Sequence, residues 1–290
     1  METIFQLITT GFLTGIVYAL MALGLSIIFG LMGLINFAHG DFVMLAMYGG
    51  FFFCHFSGLD PYFGLLVVVP LFFVLGAGIY RGLFRHLLDA PEESQIIATF
   101  GLSFVLQYGA MLFFSTEYRS VVTKYADQIL SLGFLTVDFP HIFSTLIAGI
   151  LLALIFVFLY FTNTGRAIRA VSEQRRGASL IGIHVQKIYT IAIGLGLSCV
   201  AFSGTALITF ESVHPTIGTH FNLLCWVIVV LGGVGSLWGT VIGAIIIAEM
   251  EMIIGFFFAP VLTTFAYFVI FLAILMIRPA GLFGYVERRA

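Results

Sequence analysis

Three groups of residues in this chain have types and spacings that could do chemistry. The first lies in Gly33-Leu34-Ile35-Asn36-Phe37-Ala38-His39-Gly40-Asp41, where an amide, an imidazole and a carboxylate fall close together in apolar surroundings. Such groups can face a solute or a gate. They can also be purely structural: Asn36 could cap the following helix by accepting from the backbone of residue 38 or 39, and Asp41 would favour the positive end of that helix. The second group is Glu249 and Glu251, set within Ile245–Ile254. A carboxylate at the centre of a bilayer costs about 2.5–3.5 kcal/mol on insertion scales. The pair therefore marks a helix end at the membrane surface, a buried hydrogen-bonding or subunit contact, or a contact with solute. Two residues apart on a helix, the side chains point about 200° apart and cannot share one groove. The third group is the basic stretch 162–187, with Arg166, Arg169, Glu173, Arg175, Arg176 and Lys187.

The elements that position these groups must lie in a membrane. Charged residues make up 9% of the 290, and hydrophobic residues 61%, with 33 phenylalanines. Soluble domains carry about 25% charged residues, and no single core could hide so much apolar surface. Twelve Lys and Arg form no basic patch for nucleic acid. Cys54, Cys199 and Cys225 sit in apolar runs without metal-ligand spacing and read as small buried hydrophobes. The start METIFQLITTGF lacks a basic leader region and a small-residue cleavage site, so the first apolar run is expected to stay as a span.

Stretches free of Asp, Glu, Lys and Arg cover 3–40, 42–59, 61–80, 94–116, 139–165, 188–210, 212–248 and 252–277. About 20 apolar residues cross the hydrocarbon as a helix, and no strand-like alternation argues for a barrel. Of the twelve basic residues, ten fall at 81–85, 166–187 and 278–289, leaving Arg119 and Lys124 in the segment 116–140. The positive-inside rule puts the larger set in the cytoplasm. The reading is an all-α polytopic protein with the amino terminus outside, the carboxyl terminus cytoplasmic, and about nine crossings, within a range of roughly eight to ten. The expected later spans are 221–235, 237–257 and 260–278; loop 116–140 is then extracytoplasmic and 162–187 cytoplasmic. A single membrane domain is expected to fill residues 1–290.

Two stretches interrupt the apolar runs with glycine: Gly30 to Asp41, and Gly232-Gly233-Val234-Gly235-Ser236 followed by Gly239 and Gly243. Broken backbone at membrane depth needs protein or water partners, and paired breaks in two halves of a chain point to a transport path. Close helix packing through small residues is the simpler alternative. Asn36, His39, Asp41, Gly232, Gly233, Gly235 and Glu249 are therefore the candidates for pathway or gate. In the basic loop, Thr164 is expected to cap a small amphipathic helix. Its apolar stripe runs through Ala167, Ala170, Val171, Ala178 and Ile181, and Gly182 ends it in a left-handed conformation. Such a helix either lies on lipid headgroups or docks into a partner's groove.

Four blocks, in order along the chain, resemble permease subunits of branched-chain amino-acid ABC importers. They are Gly33 to Phe42, Gly165-Arg166-Ala167-Ile168-Arg169-Ala170-Val171 through Gly182-Ile183, Leu231 to Gly239, and Arg278-Pro279-Ala280-Gly281-Leu282-Phe283-Gly284. The resemblance covers essentially the whole chain. It implies a two-repeat importer permease in the bacterial inner membrane, pairing with a second homologous permease and two cytoplasmic ATP-binding subunits. An extracytoplasmic solute-binding protein would deliver substrate. Loop 162–187 would then couple to the ATPase through Arg166, Arg169, Glu173, Arg175, Arg176, Ala178 and Gly182. His184 departs from the small polar residue that relatives often carry there. The chain has no G-x-x-x-x-G-K-[ST] phosphate loop, so ATP and magnesium are expected in the partner subunits, with no cofactor on this chain and no enzymatic activity of its own. Related permeases import urea or short amides on the same scaffold. A stand-alone channel or secondary transporter is the other alternative, with only Glu249 and Glu251 as intramembrane ionisable groups. A membrane-embedded enzyme would need catalytic or metal-ligand clusters, and the seven histidines are scattered singly.

Overall fold

A computed structural model describes residues 2–123, 125, 128–132, 135–278 and 280–284. The expectations that involve Lys124, Pro279, Arg288 and Arg289 lie outside the described residues. Helix α1 (Glu2–Met32) is apolar all round and stops where Gly33 takes a φ of +65° and its N–H donates to the Phe29 carbonyl at 2.8 Å. This is the left-handed ending that glycine permits. The chain then turns back along α1. Helix α2 (His39–Ser57) begins with His39 Nε2 at 3.2 Å from the Met21 carbonyl oxygen. Eleven residues separate Met21 from Met32, so α2 starts about 16 Å back from the end of α1.

Helix α3 (Pro61–Ile79) has proline in its first turn, and the Asp60 side chain accepts from the Tyr62 N–H at 3.0 Å. It continues through a π-turn (Tyr80–Phe84) into α4 (Arg85–Leu87). Helix α5 (Glu92–Phe114) precedes an antiparallel pair, β1 (Ile129–Leu132) and β2 (Leu135–Asp138). This short pair is the departure from an otherwise helical chain among the described residues. The pair packs beside α1 and α6 and is tied to α1 by Thr136 N–H donating to Gln6 Oε1 at 2.9 Å. Then come α6 (Phe139–Phe161), α7 (Asn163–Glu173), α8 (Arg175–Leu180), α9 (Val185–Leu207), α10 (Ile217–Gly232), α11 (Leu237–Phe257) and α12 (Pro260–Ile277). Among the described residues, six helical stretches are long and apolar enough to cross a membrane: Thr3–Met32, Pro61–Leu87, Glu92–Phe114, Phe139–Phe161, Val185–Leu207 and Leu237–Phe257. Ile217–Gly232 and Val261–Ile277 are shorter apolar helices.

Helices α1 and α9 form the centre, each with 78% of its most apolar stretch buried, against 17–28% for the other four spans. They touch at Gly24 and Gly196, where a Cβ on either would strike the other's carbonyl oxygen. Around them the packing partners repeat under one exchange, α1 with α9, α2 with α10, α3 with α11 and α5 with α12. Thus α1 lies on α11 as α9 lies on α3, α2 meets α3 as α10 meets α11, and α2 meets α5 as α10 meets α12.

The two ends of the bundle differ. One end gathers the close of α1, α7, α8 and the two glycine-rich turns near 235 and 283. There Ser172 Oγ donates to the Gly30 carbonyl at 2.9 Å, Arg175 pairs with Asp89 at 3.2 Å, and the Leu282 N–H donates to the Leu231 carbonyl at 2.8 Å. The opposite end carries the hairpin, the 58–60 turn and the 115–123 segment, whose Arg119 exchanges backbone hydrogen bonds with Val213 at 2.9 and 2.8 Å.

Candidate functional site

The first turns of α2 and α10 meet inside the bundle. Neither Gly40 nor Gly218 has room for a side chain: a Cβ on Gly40 would lie 2.7 Å from Asn222 Cα, and one on Gly218 would lie 2.9 Å from Asp41 Cα. Two positive helix ends are thereby brought together, and the Asp41 carboxylate lies between them. Asp41 is 1% exposed, and its Oδ1 accepts from Gln107 Nε2 at 2.9 Å. The same Gln107 nitrogen stands 3.2 Å from Ser103 Oγ and 3.2 Å from Thr219 Oγ1. One amide on α5 therefore joins the starts of α2 and α10.

Asn36 is fully buried, and its Oδ1 accepts from the Ala38 N–H at 3.1 Å, closing a turn just before α2. The imidazole of His39 is equally buried against α1, its Nδ1 without a partner among the described residues. Asn36, His39 and Asp41 thus share one neighbourhood. Gly232, Gly233 and Gly235 do not belong to it. They make the tight α10–α11 turn at the end that holds α7, with φ of +101° at Gly233 and +75° at Gly235. Ser236 caps α11 there by accepting from the Gly239 N–H at 3.1 Å.

Glu249 also lies apart, over Gly11 of α1, where a Cβ would come within 2.8 Å of its Oε2. Of the three readings of the Glu249–Glu251 pair, the helix end is excluded. Helix α11 runs through both carboxylates to Phe257, the end of the expected span, and Pro260 opens the next helix. Glu251 approaches His220 Nε2 at 4.0 Å.

Sequence reading missed a polar stripe on α5. Gln95, Thr99, Ser103 and Gln107 recur every fourth residue and so share one face. Gln95 Oε1 accepts from the Ile35 N–H at 3.4 Å, and Thr99 Oγ1 donates to the Ile35 carbonyl at 3.2 Å. The stripe supplies partners that the broken 33–38 backbone lacks. Its signal was available as the spacing of neutral polar residues within the charge-free run 94–116.

The basic loop folds as two helices rather than one, divided at Gln174 with φ of −153°. Thr162, not Thr164, caps the first: its Oγ1 accepts from the Gly165 N–H at 3.0 Å, which places Thr164 inside the first turn. Ile168, Val171 and Ala178 are buried, whereas Leu180 and Ile181 are 88% and 76% exposed. Gly182 takes the expected left-handed φ, +88°. Arg169 lies over the Tyr160 ring at 4.8 Å, and Arg166 donates to Asn163 Oδ1 at 2.9 Å. Arg175, Arg176 and Glu173 stay exposed. An apolar multi-pass bundle with a polar junction at its heart and a basic, partly apolar foot at one end has the make-up of a membrane permease.

Comparison with known proteins places this more closely. Residues 7–278 match the family model described as branched-chain amino acid transport system / permease component, and the chain belongs to that family. It is 26% identical to the high-affinity branched-chain amino acid transport system permease protein LivH of Salmonella typhimurium, over 97% of this chain and 96% of the relative. It is 25% identical to the corresponding BraD protein of Pseudomonas aeruginosa, again over 97% and 96%. The ribose import permease protein RbsC of Escherichia coli is 29% identical over 64% of this chain and 60% of its own length. Among solved structures, PsaBC from Streptococcus pneumoniae in complex with Fab has a similar fold, with TM-score 0.50, 16% identity, and 91% and 90% of the two chains covered.

Proposed function

We propose that this chain forms half of the membrane pathway of an ATP-driven importer for branched-chain or other hydrophobic amino acids. The carrying observation is the family match across residues 7–278, with transport permeases aligned over nearly their whole length. In this reading a second homologous permease completes the path, two ATP-binding subunits dock on α7 and α8, and an extracytoplasmic solute-binding protein docks at the hairpin end. The foot's basic residues support a cytoplasmic placement by the positive-inside rule, with the amino terminus outside. Nine helices then cross or enter the bilayer: α1, α2, α3, α5, α6, α9, α10, α11 and α12. The exchange of α1, α2, α3 and α5 for α9, α10, α11 and α12 supports two repeats.

Within this scheme Arg166, Arg169, Glu173, Arg175, Arg176, Ala178 and Gly182 serve the ATPase contact. The buried Ile168, Val171 and Ala178 hold the foot on the bundle, while Leu180 and Ile181 remain free to enter a partner's groove. Asn36, His39 and Asp41 shape the junction from behind. The test is uptake of labelled leucine by cells or proteoliposomes carrying the full complex. Leucine uptake that requires ATP and is abolished by Gly182→Trp, with the chain still inserted in the membrane, is the expected result. Uptake of urea or acetamide in place of leucine would overturn the substrate, and full transport without any ATP-binding subunit would overturn the importer class.

A further inference from the structure

Helix α10 is buried against α1, α2 and α11, yet one stripe of it stays open. Thr216 and Thr219 are exposed, Leu223, Trp226 and Val230 are part-exposed, and the residues between the later members, Leu224, Cys225, Val227, Ile228 and Val229, are buried. Positions 219, 223, 226 and 230 recur at helical spacing, so the opening is one continuous face. At its upper part it meets the amide of Gln107, itself only part-buried. Gln107 lies seven residues before the end of α5 at Phe114, about 10 Å along the helix axis. Gln107 is bonded within the protein to Asp41, Ser103 and Thr219, yet it and the exposed Thr219 keep part of their polar surface open, and open polar surface at that depth faces water or protein rather than hydrocarbon. Lower down the face turns aromatic: Trp226 lies 5.4 Å from Phe37 between ring centroids, and Phe37 stacks on Phe100 at 4.5 Å.

We infer that this face of α10, with Gln107 above and the Phe37–Phe100–Trp226 cluster below, is the solute-contacting wall of the pathway. It takes a zwitterionic α-amino acid with an aliphatic side chain. The polar head meets Gln107 and Thr219, whose amide and hydroxyl can both donate and accept. The aliphatic part slides over Leu223 and the aromatic rings. Asp41 stays behind Gln107 and fixes its amide. The inference rests on the importer reading for its ligand, but not for the wetness of the face.

The experiment uses the complete complex in membranes, with Cys54, Cys199 and Cys225 replaced by Ala. Single cysteines are introduced as Thr219→Cys, Leu223→Cys and Val67→Cys and exposed to a charged methanethiosulfonate reagent. Val67 is 55% exposed on α3 and lies six residues from Pro61, at a depth like that of Gln107 but on an apolar face. Thr219→Cys and Leu223→Cys are expected to react at least about tenfold faster than Val67→Cys, because charge is excluded from hydrocarbon. Leucine delivered by the solute-binding protein should slow both reactions several-fold. Equal rates at all three positions would overturn the wall. Fast reaction that urea rather than leucine slows would keep the wall and discard its amino-acid ligand, a result separate from loss of the whole reading.

Discussion

The two places where this chain breaks its helices near a glycine cluster are built for opposite purposes. At residues 33–38 the backbone leaves α1 and re-enters the bundle, so that α2 begins against the middle of α1. Its carbonyl and N–H at Ile35 are met by side chains from α5. At residues 232–236 the chain makes a compact turn at the foot end, clamped by backbone from Leu282 and Phe283. In the proposed repeat scheme, the counterpart of 33–38 is not this turn but residues 208–216, which connect α9 to α10 and contain no glycine. Glycine content marks where backbone passes close to backbone; it does not by itself mark where a helix starts in mid-membrane.

Substitutions that add a side chain separate the two breaks by size of effect. Gly40→Val and Gly218→Val should be the most damaging. Each drives atoms into the facing helix backbone, so a cost of about 3 kcal/mol or more is expected, at the upper end for overpacking. The measurement is the yield of monodisperse complex from detergent; normal yield of both variants would refute the close α2–α10 crossing. Gly233→Ala should come next, since a Cβ there meets Gly284 at φ of +101°, and the left-handed backbone costs about 1–2 kcal/mol. A thermal midpoint in detergent that falls, but less than for Gly40→Val, is the expected outcome. Ser236→Ala removes the α11 cap and should cost about 1 kcal/mol, read on the same melting curve. The smallest effect belongs to Gly101→Ala on α5, where nothing lies within 4 Å. It should leave the midpoint unchanged or raise it, by up to about 1 kcal/mol of helix propensity. A large loss there would mean that a partner chain presses on α5.

Much of this arrangement was legible in the residues alone. Charge-free runs located the long helices, since burying a charge in hydrocarbon is costly enough to punctuate the chain wherever it leaves the membrane. The Asn36–Asp41 cluster stood out because three polar groups interrupt an apolar run. Ile168, Val171 and Ala178 make the foot legible as amphipathic but hide its division into two helices: the apolar periodicity survives a kink at Gln174 that no glycine or proline announces. The α5 stripe escaped notice for a related reason. Thr, Ser and Gln carry no charge, and their four-residue rhythm gains meaning only once the 33–38 segment is known to lie against it. The β1–β2 pair was hidden by its shortness.

One contact at the foot has mechanical weight. Ser172 holds the carbonyl of Gly30, and Gly33, where the backbone reverses, follows three positions later. In the proposed importer, a nucleotide-driven tug on α7 would therefore arrive beside the chain's natural swivel rather than partway along a stiff rod, and the re-entering segment with Asn36 and His39 would be the first part of the interior to feel it.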